Sequence, residues 1–513
     1  MLIRVSLQYM VVKVNLQHLK MQYSEVIKEI LMNVDTLDGI VVGFNVNIDA
    51  IKRVDCNFLE SLPKPKKIRH ITRRTIKNID DLVSGLYYCM MHGIGDEWII
   101  KEKRLFDWID KNISKDSQQI GGQGGNMANV AAALGVKKVI VNLPIRNKEI
   151  AAFFINDNVK VPYRINNKIE LISARKITNS DVPPIHWIFE FHSGLKIKID
   201  KLSFTVPKSN RFIATYDPYI ATCQLLYEYK KLPRNIISQI DSFIVGGLHL
   251  IRTDFLKNPK RKFVEIKALF QRWRKYNNNA LIYLEFGPSS NTEIFRMIND
   301  FLSKEIDILG IGDDDLAEIL IALGKEKMAQ MIKKDKSPII IFDSVFEILK
   351  KSQFNEILLH CDDFAINIMK KDNESKNNFV EILERRKKSI MLGHLVCATR
   401  ALIGKFPTID DIKYSFLHEK IFLDKTKVDR CKELCKIITK NYNFSVDVDD
   451  FMFFGFDNET DKKIIGVCVP ALTSKDIKLT VGLGDSFAVS FGIAEGVQKK
   501  LTKGITYRNV DYQ

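Results

Sequence analysis

"ALIYLEFGPSSNTEIFRMINDFLSKEIDILGIGDDDLAEILIALG", residues 280–324, repeats one pattern twice. An apolar run, 280–286, reads as a buried strand, and the stretch 291–304 reads as a helix. A second apolar run at 306–312 leads into a second helical stretch at 313–334. Such alternation predicts an α/β fold, a mainly parallel sheet flanked by helices. Ligands in these folds sit beyond the carboxyl ends of the strands. Here those ends carry Glu285 and the run Asp313-Asp314-Asp315. Acidic residues in a helix's first turn need no function. Carboxylates at adjacent strand ends are also suited to Mg²⁺, which takes oxygen ligands.

Outward from this stretch, strand-like runs recur at 39–46, 137–144, 242–248 and 465–470, with a helical stretch at 262–276. Two regions break the rhythm. Residues 51–116 are charged and mixed, and 161–200 alternate polar and apolar residues as antiparallel strands do. An antiparallel sheet inserted early in an α/β chain reads as a lid. The expected division is a core of 38–50, 117–160 and 215–513, a lid of 51–116 and 161–214, and a helical extension at 1–37.

The chain has 513 residues, of which 46% are hydrophobic and 27% charged, an ordinary globular balance. No apolar run approaches the roughly 18 residues of a membrane helix, and the first twenty residues lack a signal peptide's continuous core. Eight scattered cysteines fit a reducing compartment. A cytoplasmic protein with no membrane partner is expected. The net charge of +16 fits phosphorylated ligands or nucleic acid. The densest basic cluster, 64–77, lacks interleaved aromatics, so nucleic acid is not the expected partner.

"LTVGLGDSFAVS", 479–490, places Gly482, Leu483 and Gly484 before Asp485 and an apolar helical run. Free N–H groups and the helix dipole make such a turn an anion site. Asp485 beside it is either a helix cap or a general base for a hydroxyl. "VVGFNVNIDAI" (41–51) runs from a strand into Asn45, Asn47 and Asp49. "GGQGGNMANVAAALG" (121–135) is a glycine turn, Gly121-Gly122-Gln123, opening an Ala-rich helix; no Lys-Ser/Thr follows, so it is not a P-loop. In "IHWIFEF" (185–191), His186 and Glu190 share one strand face and Trp187 and Phe189 the other. "SNRFIATYD" (209–217) sets Arg211 at the edge of an apolar strand.

Taken in order, these stretches resemble the ADP-dependent sugar kinases, the glucokinase and phosphofructokinase group of the ribokinase-like superfamily. The resemblance spans roughly residues 40 to 495. It implies a ribokinase-like core with a small α+β lid domain, and transfer of the β-phosphate of ADP to a hexose or hexose phosphate in glycolysis, leaving AMP. It implies Asp485 as base and the Gly482–Gly484 turn and Arg211 as phosphate ligands. Asn47, Asp49, Gly121, Gly122, Gln123 and His186 would hold the sugar, Glu285 and Asp315 would orient Mg²⁺, and Asp81 would sense the acceptor. Two motifs depart from the family: Tyr283-Leu284-Glu285 stands where His-x-Glu is usual, and Gly312-Asp313-Asp314-Asp315 where Asn-x-x-Glu is usual. These departures set a second reading beside the first, a homologue that binds sugar or nucleotide without turnover.

Overall fold

A computed structural model describes residues 16–69, 74–199, 202–288, 291–371, 376–442, 445–446, 453–457 and 463–510. The apolar runs form a large sheet whose middle is parallel. In spatial order its parallel strands are Val159–Ile165, Val139–Val141, Ile40–Gly43, Ser242–Val245, Leu281–Glu285, Ile308–Gly312 and Glu356–His360. Antiparallel strands extend both sides, Lys168–Ser173 at one end and Phe364–Lys371 and Lys463–Pro470 at the other. Two hydrophobic clusters, one on each face, bury the sheet under helices. Helices Gln123–Ala133, Lys376–Ile403 and Leu483–Val510 lie on one face, and Pro259–Tyr276, Thr292–Leu302 and Pro338–Lys351 on the other. The stretch 313–334 forms two helices, Leu316–Ala322 and Glu326–Lys334, because Gly324 takes φ +74° between them.

A smaller mixed sheet runs Thr75–Ile76, Asp96–Ile100, Asn210–Thr215, Ile185–Phe191, Asn47–Arg53 and Ser117–Gly121. One of its faces packs Trp98, Trp187, Phe189 and Phe212 against helix Ile79–His92 and its neighbours as a separate core. The expected boundaries need correction on both sides. Residues 47–50 and 117–121, assigned to the core, are strands of the small sheet; 161–173, assigned to the lid, are a hairpin of the large one. The start of the extension, 1–15, lies outside the described residues; Leu16–Glu29 is helical, as expected.

Small sheet and large sheet meet across a cleft. Arg74, just before the small sheet's first strand, pairs with Asp96 of that sheet at 2.8 Å. Its other arm reaches Glu318 on helix Leu316–Ala322 of the large layer at 2.9 Å.

Candidate active site

Helix Leu483–Val510 begins ahead of the apolar run that follows Asp485, so its first turn takes in the glycine turn. Gly482 takes φ +69°, and a Cβ there would stand 2.9 Å from the Asn126 amide. The positive φ therefore belongs to Gly482 and not to Gly484. A Cβ on Gly484 would instead meet His360 at 3.2 Å and Glu285 Oε1 at 3.6 Å. The Gly482 carbonyl accepts the first helical bond, from Ser486 N at 3.1 Å. The N–H groups that follow have no preceding turn to bond to.

Asp485, 9% exposed, opens this helix. Burial and the nearby Glu285 carboxylate push its pKa up to about 6, against Arg400 and a hydrogen bond from Asn126 that favour the ionised form. A carboxyl tuned near neutrality can accept a proton at working pH.

Glu285 ends strand Leu281–Glu285. Tyr283, two residues back on the same strand face, donates its hydroxyl to Glu285 Oε2 at 2.8 Å. His360 Nε2 lies 2.7 Å from Glu285 Oε1. Strand Ile308–Gly312 runs between these two residues, and it pairs Gly310 with Glu285 and Gly312 with His360. With no side chain at Gly310, Glu285 and His360 meet over the intervening strand. A Cβ at Gly310 would overlap the Tyr283 hydroxyl and the Glu285 carboxylate. Burial opposes charge on His360, yet Glu285, Asp315 and Asp313 together raise its pKa. Glu285 is thus held by Tyr283 of its own strand and by a histidine of another.

Asp315 is buried. Its Oδ2 accepts the Gly312 N–H at 2.8 Å, and its Oδ1 has no partner among the described residues. Burial, with Glu285 and Asp314 nearby, drives its pKa up. Asp313 and Asp314 pair instead with Lys336.

Register builds the facing wall. Across the small sheet Gln119, Asp49, His186 and Thr215 stand opposite one another on successive strands. His186 lies 3.2 Å from Asp217 and 3.9 Å from Glu97. Burial disfavours its charge, but the carboxylates of Asp217, Glu97 and Asp49 outweigh that and raise its pKa. Asn47 donates to Asp49 Oδ1 at 2.7 Å. Burial lifts Asp49 to about 6 even so. Gly121 and Gly122 bring their backbone against this pair: a Cβ on Gly121 would fall 2.0 Å from Asp49, and Gly122 has φ +75°. Gln123 reaches the other wall, accepting from the Gly247 N–H.

Arg211 is half-buried, its Nε buried without a partner among the described residues, within the fields of Asp314, Glu190, Asp49 and Asp485. Asn45 Oδ1, Asn47 Oδ1 and His249 Nδ1 are likewise buried without partners among the described residues. Buried polar atoms are nearly always satisfied, so unpartnered ones beside Asp49 and Asp485 are available to a polar ligand.

Asp81 keeps different company. Its Oδ2 accepts the Lys77 N–H at 3.1 Å, and Oδ1 lies 3.4 Å from Arg69. Asn78 caps the same helix end through the Asp81 N–H. Of the basic lid residues, Arg69 and Arg74 are thus in ion pairs, and Arg73 lies outside the described residues. Sequence reasoning missed Arg400, Asn126, His360 and Asp217. Asn126 and Asp217 sit inside motifs already singled out; Arg400 carried a signal as an arginine at four-residue spacing from Leu392 and Val396, but His360 carried none.

Among the described residues no helix is long and apolar enough to cross a membrane. The ADP-specific phosphofructokinase/glucokinase conserved region matches residues 38–491. The chain is 22% identical over 482 residues to an ADP-dependent glucose/glucosamine kinase of Pyrococcus abyssi, covering 92% of this chain and 98% of that one. It is 26% identical to an ADP-specific phosphofructokinase of Thermococcus litoralis, covering 88% and 94%. A solved ADP-dependent kinase in complex with fructose-6-phosphate and ADPβS superposes with a TM-score of 0.80 at 24% identity, covering 94% of this chain and 99% of that one. The chain belongs to the ADP-specific phosphofructokinase/glucokinase family, ADP-dependent phosphotransferases with an alcohol group as acceptor.

Proposed function

We propose that the chain moves the β-phosphoryl group of ADP to a hydroxyl of glucose, fructose 6-phosphate or both, releasing AMP, as a step of glycolysis. The observation that carries this reading is Asp485: a buried carboxyl tuned to about 6 at the first turn of a helix whose N–H groups face the same cleft. Asp485 takes the proton of the acceptor hydroxyl. The N–H groups of Gly482, Leu483 and Gly484 stabilise charge on the moving phosphoryl group. Arg211 pairs with a phosphate. Asn47, Asp49, His186, Gln123 and the Gly121-Gly122 backbone hold sugar hydroxyls. Phosphoryl transfer needs little beyond such positioning and electrostatics.

Among the described residues no group of three or more His, Cys, Asp and Glu could hold a metal by itself. The site fits an Mg²⁺ that arrives on the nucleotide with its own waters and phosphate oxygens, because Asp315 Oδ1 is a free, buried, hard donor. Asp315 would meet that ion directly or through water, and Glu285, already held by Tyr283 and His360, would back it. When bound, Mg²⁺ neutralises charge on the transferring phosphate.

Asp81 would select between acceptors. A carboxylate accepts from a neutral sugar's hydroxyl and repels a sugar phosphate. Coupled assays of the purified protein with ADP and with ATP, against glucose and fructose 6-phosphate, test the whole proposal. Turnover with ADP and either sugar is expected. Sugar or nucleotide binding without turnover would favour the non-catalytic homologue.

A further inference from the structure

Three helices converge on Asp485. Asn126 comes from Gln123–Ala133, Arg400 from Lys376–Ile403 and Asp485 itself from Leu483–Val510. Arg400 is 1% exposed. Its Nη1 donates to the Gly482 carbonyl at 2.8 Å and to Ser486 Oγ at 2.6 Å. Its Nη2 donates to Asn126 Oδ1 at 2.7 Å.

A guanidinium only donates, whereas a carboxamide accepts at oxygen and donates at nitrogen. The bond from Arg400 therefore fixes which way the Asn126 amide points. Oxygen faces Arg400, and nitrogen faces the opposite side with two hydrogens. One goes to the Gly122 carbonyl at 3.2 Å, and the other is available to the Asp485 carboxylate. Close packing of Gly482 on the amide leaves it little room to swing aside.

We propose that Arg400 and Asn126 are a positioning relay for the base: Arg400 locks the Asn126 amide in the one orientation that donates to Asp485. The relay holds the carboxylate aimed at the acceptor hydroxyl and in its proton-accepting form. It also ties the glycine turn at 121–123 to the one at 482–484 through a single buried cation. This inference rests on the assignment of Asp485 as base. Glu285 and Asp49 repel the ionised carboxylate, Arg400 and Asn126 support it, and Arg211 and the Cys397 thiol also lie within its field. With two supports against two repelling carboxylates, loss of either support should move the titration upward.

The test is kcat/KM against pH for the wild type and for Asn126→Ala, Asn126→Asp, Arg400→Lys and Asp485→Asn. The Asn126 variants leave the bond from Arg400 to Gly482 in place, so they test the relay without removing the buried cation. In the wild type the acid limb should fall near pH 6. In Asn126→Ala it should move up by about one pH unit, a loss of about fivefold at pH 6 that approaches about tenfold at lower pH, with the plateau above pH 8 largely kept. Asn126→Asp, which replaces the donor by a second anion, should move it further. Arg400→Lys keeps the charge but loses the fork that fixes the amide, and should shift the limb in the same direction. Limbs at the wild-type position in all three, or a uniform loss at every pH, would overturn the relay. Near-normal activity in Asp485→Asn would instead overturn the assignment of the base.

Discussion

The two walls of the cleft each hold a buried acidic cluster, and each contains a carboxyl near 6, Asp49 on one side and Asp485 on the other. They arrive there differently. On the small sheet, strand register sets Asp49 opposite His186, and Asn47 donates to it along the same strand. There burial is offset by neighbours within one sheet. On the large sheet Glu285, Asp315, His360, Arg400 and Asp485 come from separate strand ends and helices. There burial is reinforced by like charge, Glu285 against both Asp315 and Asp485. In the proposed function the first wall takes the sugar's hydroxyl groups, and the second holds excess negative charge that a cation would have to offset before an anionic phosphoryl group could pass.

The contrast fails if the second wall does not do the chemistry. Asp485→Asn keeps shape and removes the base, so kcat should fall by about 10² or more. A kcat near wild type would reduce Asp485 to a helix-start residue. Gly482→Ala comes next, since a side chain at φ +69° also collides with Asn126. Backbone strain of about 1–3 kcal/mol at the turn should lower turnover roughly tenfold or more, and a folded variant with unchanged kcat would show that no phosphate uses it. Glu285→Gln should raise several-fold the Mg²⁺ concentration that half-saturates activity. An unmoved metal dependence would leave Glu285 as a strand-end residue held by Tyr283 and His360. The smallest effect is expected on the first wall's flank. Asp81→Ala should lower kcat/KM for glucose by about tenfold or less while sparing fructose 6-phosphate. Equal changes on both sugars would confine Asp81 to the cap and ion pair it makes with Lys77 and Arg69.

Six apolar runs read from the sequence became strands of the large sheet, because continuous burial on both faces leaves a continuous apolar signature. What the pattern did not contain was strand partnership. Residues 47–50 and 161–173 read equally well in either sheet, since alternation reports which face is buried and not which strand lies alongside. The glycines at 121–122 and 482 were legible as close-approach points. His360 was not, because its meeting with Glu285 passes over Gly310 of a third strand, a relation with no fixed spacing in the chain. Arg400 stood at helical spacing from Leu392 and Val396, but nothing in that spacing linked it to the turn it holds, 82 residues further along the chain.

Arg74 bears on how the cleft opens. Its bond to Asp96 stays within the small sheet, so the guanidinium keeps one partner whether the two layers are together or apart. Separation of the layers parts it from Glu318, whose side chain is 19% exposed. An ion pair of this kind contributes about 1 kcal/mol or less, so it acts as a weak catch with little thermodynamic hold on either state. If product escape limits turnover, added salt should quicken the enzyme through this contact, and Glu318→Gln should make it less responsive to salt.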